Sequence, residues 1–198
     1  MNKIEQLQDM IDQSQHIVFF GGAGVSTESN IPDFRSSDGI YSVKLGRHLT
    51  AEQLVSHTMF ERYPQEFFDF YKKYLLYPDA KPNAAHAYLA HLEKTGKLKA
   101  VVTQNIDSLH EMAGSKNVLK LHGSADRNFC LDCQRFYDLE AFLALPGIVP
   151  YCPDCSGVIK PDVTLYEEPL DMETFQQAAQ AIHQADLLII GGTSLVVY

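Results

Sequence analysis

Apolar residues follow two rhythms along this chain. Ile4, Leu7 and Ile11 recur at helical spacing and predict a first helix of about a dozen residues. Directly after it, Ile17-Val18-Phe19-Phe20 is a short apolar run that ends in Gly21-Gly22-Ala23-Gly24. The device recurs: Ala100-Val101-Val102-Thr103 ends in Gln104-Asn105-Ile106-Asp107, residues 118–121 end in His122-Gly123-Ser124, and residues 187–190 end in Gly191-Gly192-Thr193-Ser194. Each run predicts a buried strand whose carboxyl end breaks into a polar or glycine-rich turn. Helical patterns over Ala84–Lys94 and Met172–Gln184 lie between the runs. Strands alternating with helices predict an α/β fold, Rossmann-like and doubly wound about a parallel sheet. In such a sheet the ligand crevice lies at the carboxyl ends of the strands, where all four turns would meet.

Two segments break the alternation. Residues 41–77 read as helices rich in aromatics (Phe60, Phe67, Phe68, Phe70, Tyr71, Tyr74), and residues 124–156 hold every cysteine together with Pro/Gly turns. We expect both to be insertions that form a small helical and zinc-ribbon lobe. Residues 1–40, 78–123 and 157–198 then make up the Rossmann-like unit. The aromatics sit at the spacing of a helix packing into that lobe and read as core.

The cysteines form Cys130-x-x-Cys133 and Cys152-x-x-Cys155, with 18 residues between the knuckles. Two such knuckles place four thiolates at the corners of a tetrahedron, which suits one Zn²⁺. Four sulfur ligands leave no open position for water, so the metal would be structural. Disulfides and a thiol redox pair are the alternatives. The N-terminal MNKIEQLQDMIDQSQ has no apolar core of a secretory signal, and the apolar runs are far too short to span a bilayer. Reduced thiols in a cytoplasmic chain, away from any membrane, are the expectation.

Charge narrows the partners. The chain has 16 Lys+Arg against 25 Asp+Glu, a net charge of −9. A nucleic-acid footprint needs clustered cations, so no nucleic acid is expected, and the knuckle segment itself holds one basic residue, Arg135. An acidic surface suits a basic peptide.

Within the turns, Gly22-x-Gly24 is part of a dinucleotide fingerprint, with Thr27 where a third glycine would stand; a purely structural turn is nearly as good a reading. Free backbone N–H groups here, with the Ser26 and Thr27 hydroxyls, would suit a pyrophosphate. Ile31-Pro32-Asp33-Phe34-Arg35 cannot continue a helix and suggests a flap over a ligand. Asn105 and Asp107 are ligand-binding candidates, or simply caps for the following helix. His122 stands at a strand end and titrates near neutrality, as a general base must. His16, His48, His57, His86, His91, His110 and His183 are read as structural or solvated.

The strings GAGVSTESNIPDFR, TQNIDSLH, LHGS and GTSL, with the paired knuckles, resemble in order and spacing the motifs of the sirtuins, NAD-dependent protein lysine deacylases. The resemblance runs from about Ile17 to the last residue. It implies that Gly22, Ala23, Gly24 and Thr27 lie against the NAD phosphates, and that Asp33, Phe34 and Arg35 form a mobile cofactor loop with Phe34 shielding the reaction. Gln104, Asn105 and Asp107 would hold the nicotinamide ribose and carboxamide, with Asn105 and His122 in catalytic roles. Gly192, Thr193 and Ser194 would contact the far ribose and phosphates. Val163, Leu165 and Tyr166 would clamp the acyl-lysine of a protein substrate as a β-strand. In the family the acyl oxygen attacks the ribose carbon that loses nicotinamide, and a base draws a proton from the ribose diol.

Some positions depart from the family pattern. Gly21 replaces a small hydroxyl residue, Asn30 replaces a glycine, and Tyr166-Glu167-Glu168 stands where Phe-Gly-Glu is common. The acidic-acyl branch carries Tyr-x-x-Arg; here Tyr71-Lys72-Lys73-Tyr74 lacks the arginine, so an uncharged acyl group is expected. The chain stops just past GTSL, where the family fold continues, so a C-terminally incomplete enzyme is expected. ADP-ribosyl transfer or NAD hydrolysis on the same fold, and a non-catalytic binding module, are the alternatives.

Overall fold

The computed structural model describes residues 2–34, 39 and 49–195. Helix α1 (Lys3–Gln13) is fixed at its start by a capping box, in which Glu5 N donates to Asn2 Oδ1 and Asn2 N donates to Glu5 Oε2, both at 2.9 Å. Strand β1 (Ile17–Gly21) follows. Short helices α2 (Ala51–Leu54) and α3 (His57–Arg62) lead to α4 (Pro64–Tyr74), whose Pro64 occupies the first turn, where its missing N–H costs nothing. Then come α5 (Ala84–Lys94), β2 (Leu98–Thr103), α6 (Leu109–Ala113) and β3 (Val118–Lys120). The chain continues through β4 (Gly123–Cys130), β5 (Phe136–Tyr137), α7 (Leu139–Leu143), β6 (Ile159–Val163), α8 (Met172–Gln184) and β7 (Leu187–Gly191).

The four strands expected from the apolar runs form one parallel sheet in the order β3-β2-β1-β7. Alternation along β1 explains why both faces are covered. Ile17 and Phe19 join Leu98, Val101 and Leu187 under Ile11 of α1 and Leu89 and Leu92 of α5. Val18 points the other way, with Ala100 and Val102, against Ala178 of α8. The fold is thus α/β, with a Rossmann-like parallel sheet.

A second sheet, antiparallel in the order β5-β4-β6, starts where the first ends. Within residues 157–198, Ile159–Val163 pairs with β4, Val163 opposite Gly123 and Ile159 opposite Cys130. Helices α2, α3, α4 and α7 pack on this sheet around one core that holds Phe67, Phe68, Tyr71, Phe142, Ile159, Cys130 and Cys152. Its rings meet edge-on, Phe60 to Phe67 at 5.3 Å and 82°, Phe67 to Phe68 at 5.1 Å and 86°. The aromatic helices and the cysteine segment therefore share a core.

Candidate active site

Four strand ends of the parallel sheet converge, and Gln104 ties three of the turns together. Its N–H donates to Gly21 O at 3.0 Å, its Oε1 accepts from the Thr193 hydroxyl at 2.9 Å, and its carbonyl accepts from His122 Nδ1 at 2.8 Å. A carbonyl can only accept, so Nδ1 carries the proton and Nε2 holds the lone pair of the neutral ring. Burial lowers the His122 pKa, partly opposed by the Gln104 carbonyl, so the imidazole stays neutral at neutral pH.

The same strand ends carry a hydrogen-bonded chain of polar side chains. Asn105 Nδ2 donates to Ser26 Oγ at 3.1 Å, and the Ser26 hydroxyl donates to Asp107 Oδ2 at 2.9 Å. Asn105 itself is pinned by its N–H to Thr103 Oγ1 at 3.0 Å. Asp107, one residue before the α6 N-cap Ser108, also accepts Leu109 N at 3.1 Å and so satisfies the helix's first N–H in addition to its bond to Ser26. The Asn105 side chain does not cap.

The expected cradle of free N–H groups after β1 is not what forms. Gly22 N donates to Gly191 O, Gly24 N to Gly192 O, Val25 N to Gly22 O and Ser26 N to Ala23 O, so most of the turn's donors are already committed. Two short 3₁₀ turns, Ala23–Val25 and Thr27–Ser29, replace an opening α-helix. The glycines serve close approach instead. A Cβ on Gly24 would meet Gly192 Cα at 2.8 Å, and one on Gly192, whose φ is +64°, would meet Val25 N at 2.3 Å.

A cavity of about 960 Å³ opens over these turns. Its walls include Ala23, Gly24, Asp33 and Phe34; Gln104, Asn105, Asp107 and His122; Val163, Leu165 and Tyr166; and Gly192, Thr193 and Ser194. Gly22 and Thr27 are not among the lining residues. Gly22 is packed between Gly192 O and the Thr193 and Gln104 side chains, and the Thr27 hydroxyl turns back to Gly24 O at 3.0 Å. Arg35 lies outside the described residues, as do 40–48 of the expected helical segment and its approach.

The Val163–Tyr166 segment is held on both sides. Thr164 N donates to His122 O, Tyr166 N to Val55 O, and His57 N to Tyr166 O, at 2.9, 3.1 and 2.9 Å. Asn83 is a positioning residue that the sequence reading did not single out. It caps α5 and its Nδ2 donates to Val25 O at 2.8 Å and Ser29 Oγ at 3.1 Å, anchoring the loop after β1. The signal was present in Pro82-Asn83 ahead of an apolar-periodic helix.

The four cysteines are unbridged, and their sulfurs all lie within 4.8 Å of one another. Cys130 Sγ to Cys155 Sγ is 3.4 Å and Cys133 Sγ to Cys152 Sγ 3.7 Å. A tetrahedral ion with bonds of about 2.3 Å needs sulfurs about 3.8 Å apart, so the cluster fits a metal and is far too wide for disulfides. The Tyr137 hydroxyl donates to Cys152 Sγ at 3.1 Å and draws that thiol's pKa down to about 6. Gln134 and Ser156, each directly after a knuckle's second cysteine, take left-handed backbone at φ 60° and 63°.

A Rossmann-like sheet whose strand ends carry a neutral imidazole and an amide–hydroxyl–carboxylate relay, joined to a four-thiol lobe, defines a nucleotide-binding α/β class with acid–base capability. The chain belongs to the Sir2 family, whose model matches residues 22–198. It is 62% identical over 197 residues to an NAD-dependent protein deacetylase of Clostridium perfringens, covering 100% of this chain and 80% of the relative. It is 54% identical to one of Clostridium tetani, covering 100% and 80%. Among solved structures it is similar to a Sir2 complex with a p53 peptide and NAD⁺, at TM-score 0.85 and 38% identity over 100% of this chain and 78% of that one. It is likewise similar to Sir2 bound to acetylated peptide, at TM-score 0.84 and 36% identity over 100% and 78%.

Proposed function

We propose that this chain is an NAD-dependent protein lysine deacetylase in which His122 is the general base. The observation that carries the reading is that the His122 imidazole lines one cavity together with the Gly24 and Gly192 turns and the Val163–Tyr166 segment. NAD bound there would supply a ribose carbon that loses nicotinamide and takes the acyl oxygen; with one water the lysine amine leaves and the acyl group stays on ADP-ribose.

The residues divide the work by position. Ala23 and Gly24, which line the cavity, would hold the phosphates, with Gly22 and Thr27 shaping the turn. Gly192, Thr193 and Ser194 face the far ribose. Asn105, its side-chain Nδ2 bonded to Ser26, would hold the nicotinamide ribose together with Gln104 and Asp107. His122 accepts a ribose hydroxyl proton at Nε2 because Nδ1 is held by Gln104 and burial disfavours the imidazolium. Asp33 and Phe34, which line the cavity, would shield the reacting centre. Val163, Leu165 and Tyr166 hold the acylated lysine of a protein or peptide. Cys130, Cys133, Cys152 and Cys155 hold one structural Zn²⁺ that braces the smaller lobe. Free thiols in this number suit the cytoplasm. Among the described residues no helix is long and apolar enough to cross a membrane.

Incubation with an acetyl-lysine peptide, followed by mass spectrometry, tests the reading. NAD-dependent loss of acetyl with equimolar nicotinamide is the expected result. Nicotinamide release without acyl peptide, with ADP-ribose appearing on protein, would replace it with ADP-ribosyl transfer.

A further inference from the structure

Glu167 stands out in the segment that faces the substrate. It takes left-handed backbone at φ 76°, a conformation that is costly for a residue with a Cβ, at the position where a glycine is common in the family. Its side chain is exposed, and the residue lines the cavity. Thr58 N and Thr58 Oγ1 both donate to Oε2, at 2.9 and 2.7 Å, and Oε1 takes neither bond. These donors hold the carboxyl below its ordinary range, so it is ionised at neutral pH.

Two neighbouring acids are paired with permanent cations, Glu168 with Lys160 Nζ at 3.2 Å and Asp162 with Arg127 at 2.7 Å, while the His57 ring lies 2.9 Å from Glu168 and 3.2 Å from Glu61. Glu167 is held at contact range by neutral donors, with Arg62 and His57 acting on it through space. Its charge thus remains available to a partner that enters along Val163–Tyr166.

We propose that Glu167 is a specificity-determining residue that favours substrates with Lys or Arg immediately beside the acylated lysine. The proposal rests on the deacetylase reading of this cavity and names a substrate class for it. The chain's net charge of −9 adds long-range attraction of the same sign.

The test uses acetyl-lysine peptides that differ at one flanking residue, Arg, Gln or Glu, with kcat/KM measured in the presence of NAD and peptide affinity measured separately by fluorescence anisotropy. The Arg peptide is expected to exceed the Gln peptide about two- to five-fold, as for an exposed ion pair, and to lose that advantage near 1 M salt. Within Glu167→Gln the Arg/Gln ratio should fall to about one, and within Glu167→Gly, which removes the charge and the backbone strain together, it should fall likewise; taking ratios within each variant cancels any general loss. A ratio unchanged in E167Q, or lost in E167G alone, overturns the proposal. Charge preference in binding without turnover would sink the deacetylase reading and leave Glu167's role standing. Turnover without preference would do the reverse, and peptides that neither bind nor react would remove both.

Discussion

A single methyl group marks how tightly the site is built at the scale of one residue. Gly123 follows the candidate base at φ 77°, and a Cβ there would sit 2.1 Å from Asp162 O. Gly123→Ala is expected to destabilise the protein by about 3 kcal/mol, combining left-handed strain with the displacement of β6; urea unfolding measures it. His122→Ala is expected to lower deacetylation by about 10²–10⁴-fold while NAD still binds, as calorimetry would record. The pH profile carries a sharper signature. Because burial holds the imidazole's pKa below 6.5, the base form persists as pH falls through that value. The acid limb of kcat/KM should therefore lie on the acid side of an ordinary histidine. Residue identities of this kind were readable as types: Asn30, where the family keeps a glycine, takes left-handed backbone at φ 62°. The commitment of the turn's N–H groups was not readable, because their acceptors lie up to about 170 residues away and depend on the finished sheet.

Elements were legible where their periodicity was strong. The helices Ala84–Lys94 and Met172–Gln184 form with the expected bounds, and each of the four apolar runs becomes a parallel strand. Strand Ile159–Val163 was hidden by Pro161, which removes a ladder donor and ordinarily argues against a strand. The order β5-β4-β6 resolves the conflict, since β6 pairs on one side only and an edge tolerates proline. The cysteine knuckles support two expectations. Chelation of the proposed metal should loosen the core around Phe142 and Cys152, seen as lost near-ultraviolet ellipticity and one equivalent of released zinc, and Cys133→Ser should reproduce it. Gln134→Gly and Ser156→Gly should relieve left-handed strain and change stability by no more than about 1 kcal/mol, measured by thermal melting of the metal-loaded protein.

At the scale of the whole molecule, buried imidazoles tie stability to pH. His86 and His110 pack ring to ring at 4.7 Å, and His86 Nε2 and both His110 nitrogens are buried without a hydrogen-bond partner. Burial, with His86 and Lys120 nearby, pushes His110 down to about 3, and burial also lowers His86 and His122. These folded values lie below the unfolded one of about 6.5, so the unfolded chain binds protons that the fold refuses as pH drops beneath 6.5. Stability should fall by about 1.4 kcal/mol per pH unit for His110 alone between about pH 6 and 3.5. His57, raised by Glu168, acts in a separate window: its contribution is full below 6.5 and is lost as pH climbs above that value. Denaturation curves from pH 4 to 7 should show a shallower acid limb in His110→Leu; an equal slope would remove this account. The interlock of Gly24 with Gly192 has a different consequence, one that concerns biosynthesis. β1 cannot acquire its β7 neighbour, nor the loop after it its final shape, until the ribosome has released Gly192. Until then the apolar first strand keeps an open flank, the kind of long-range parallel pairing that must wait for distant chain to arrive.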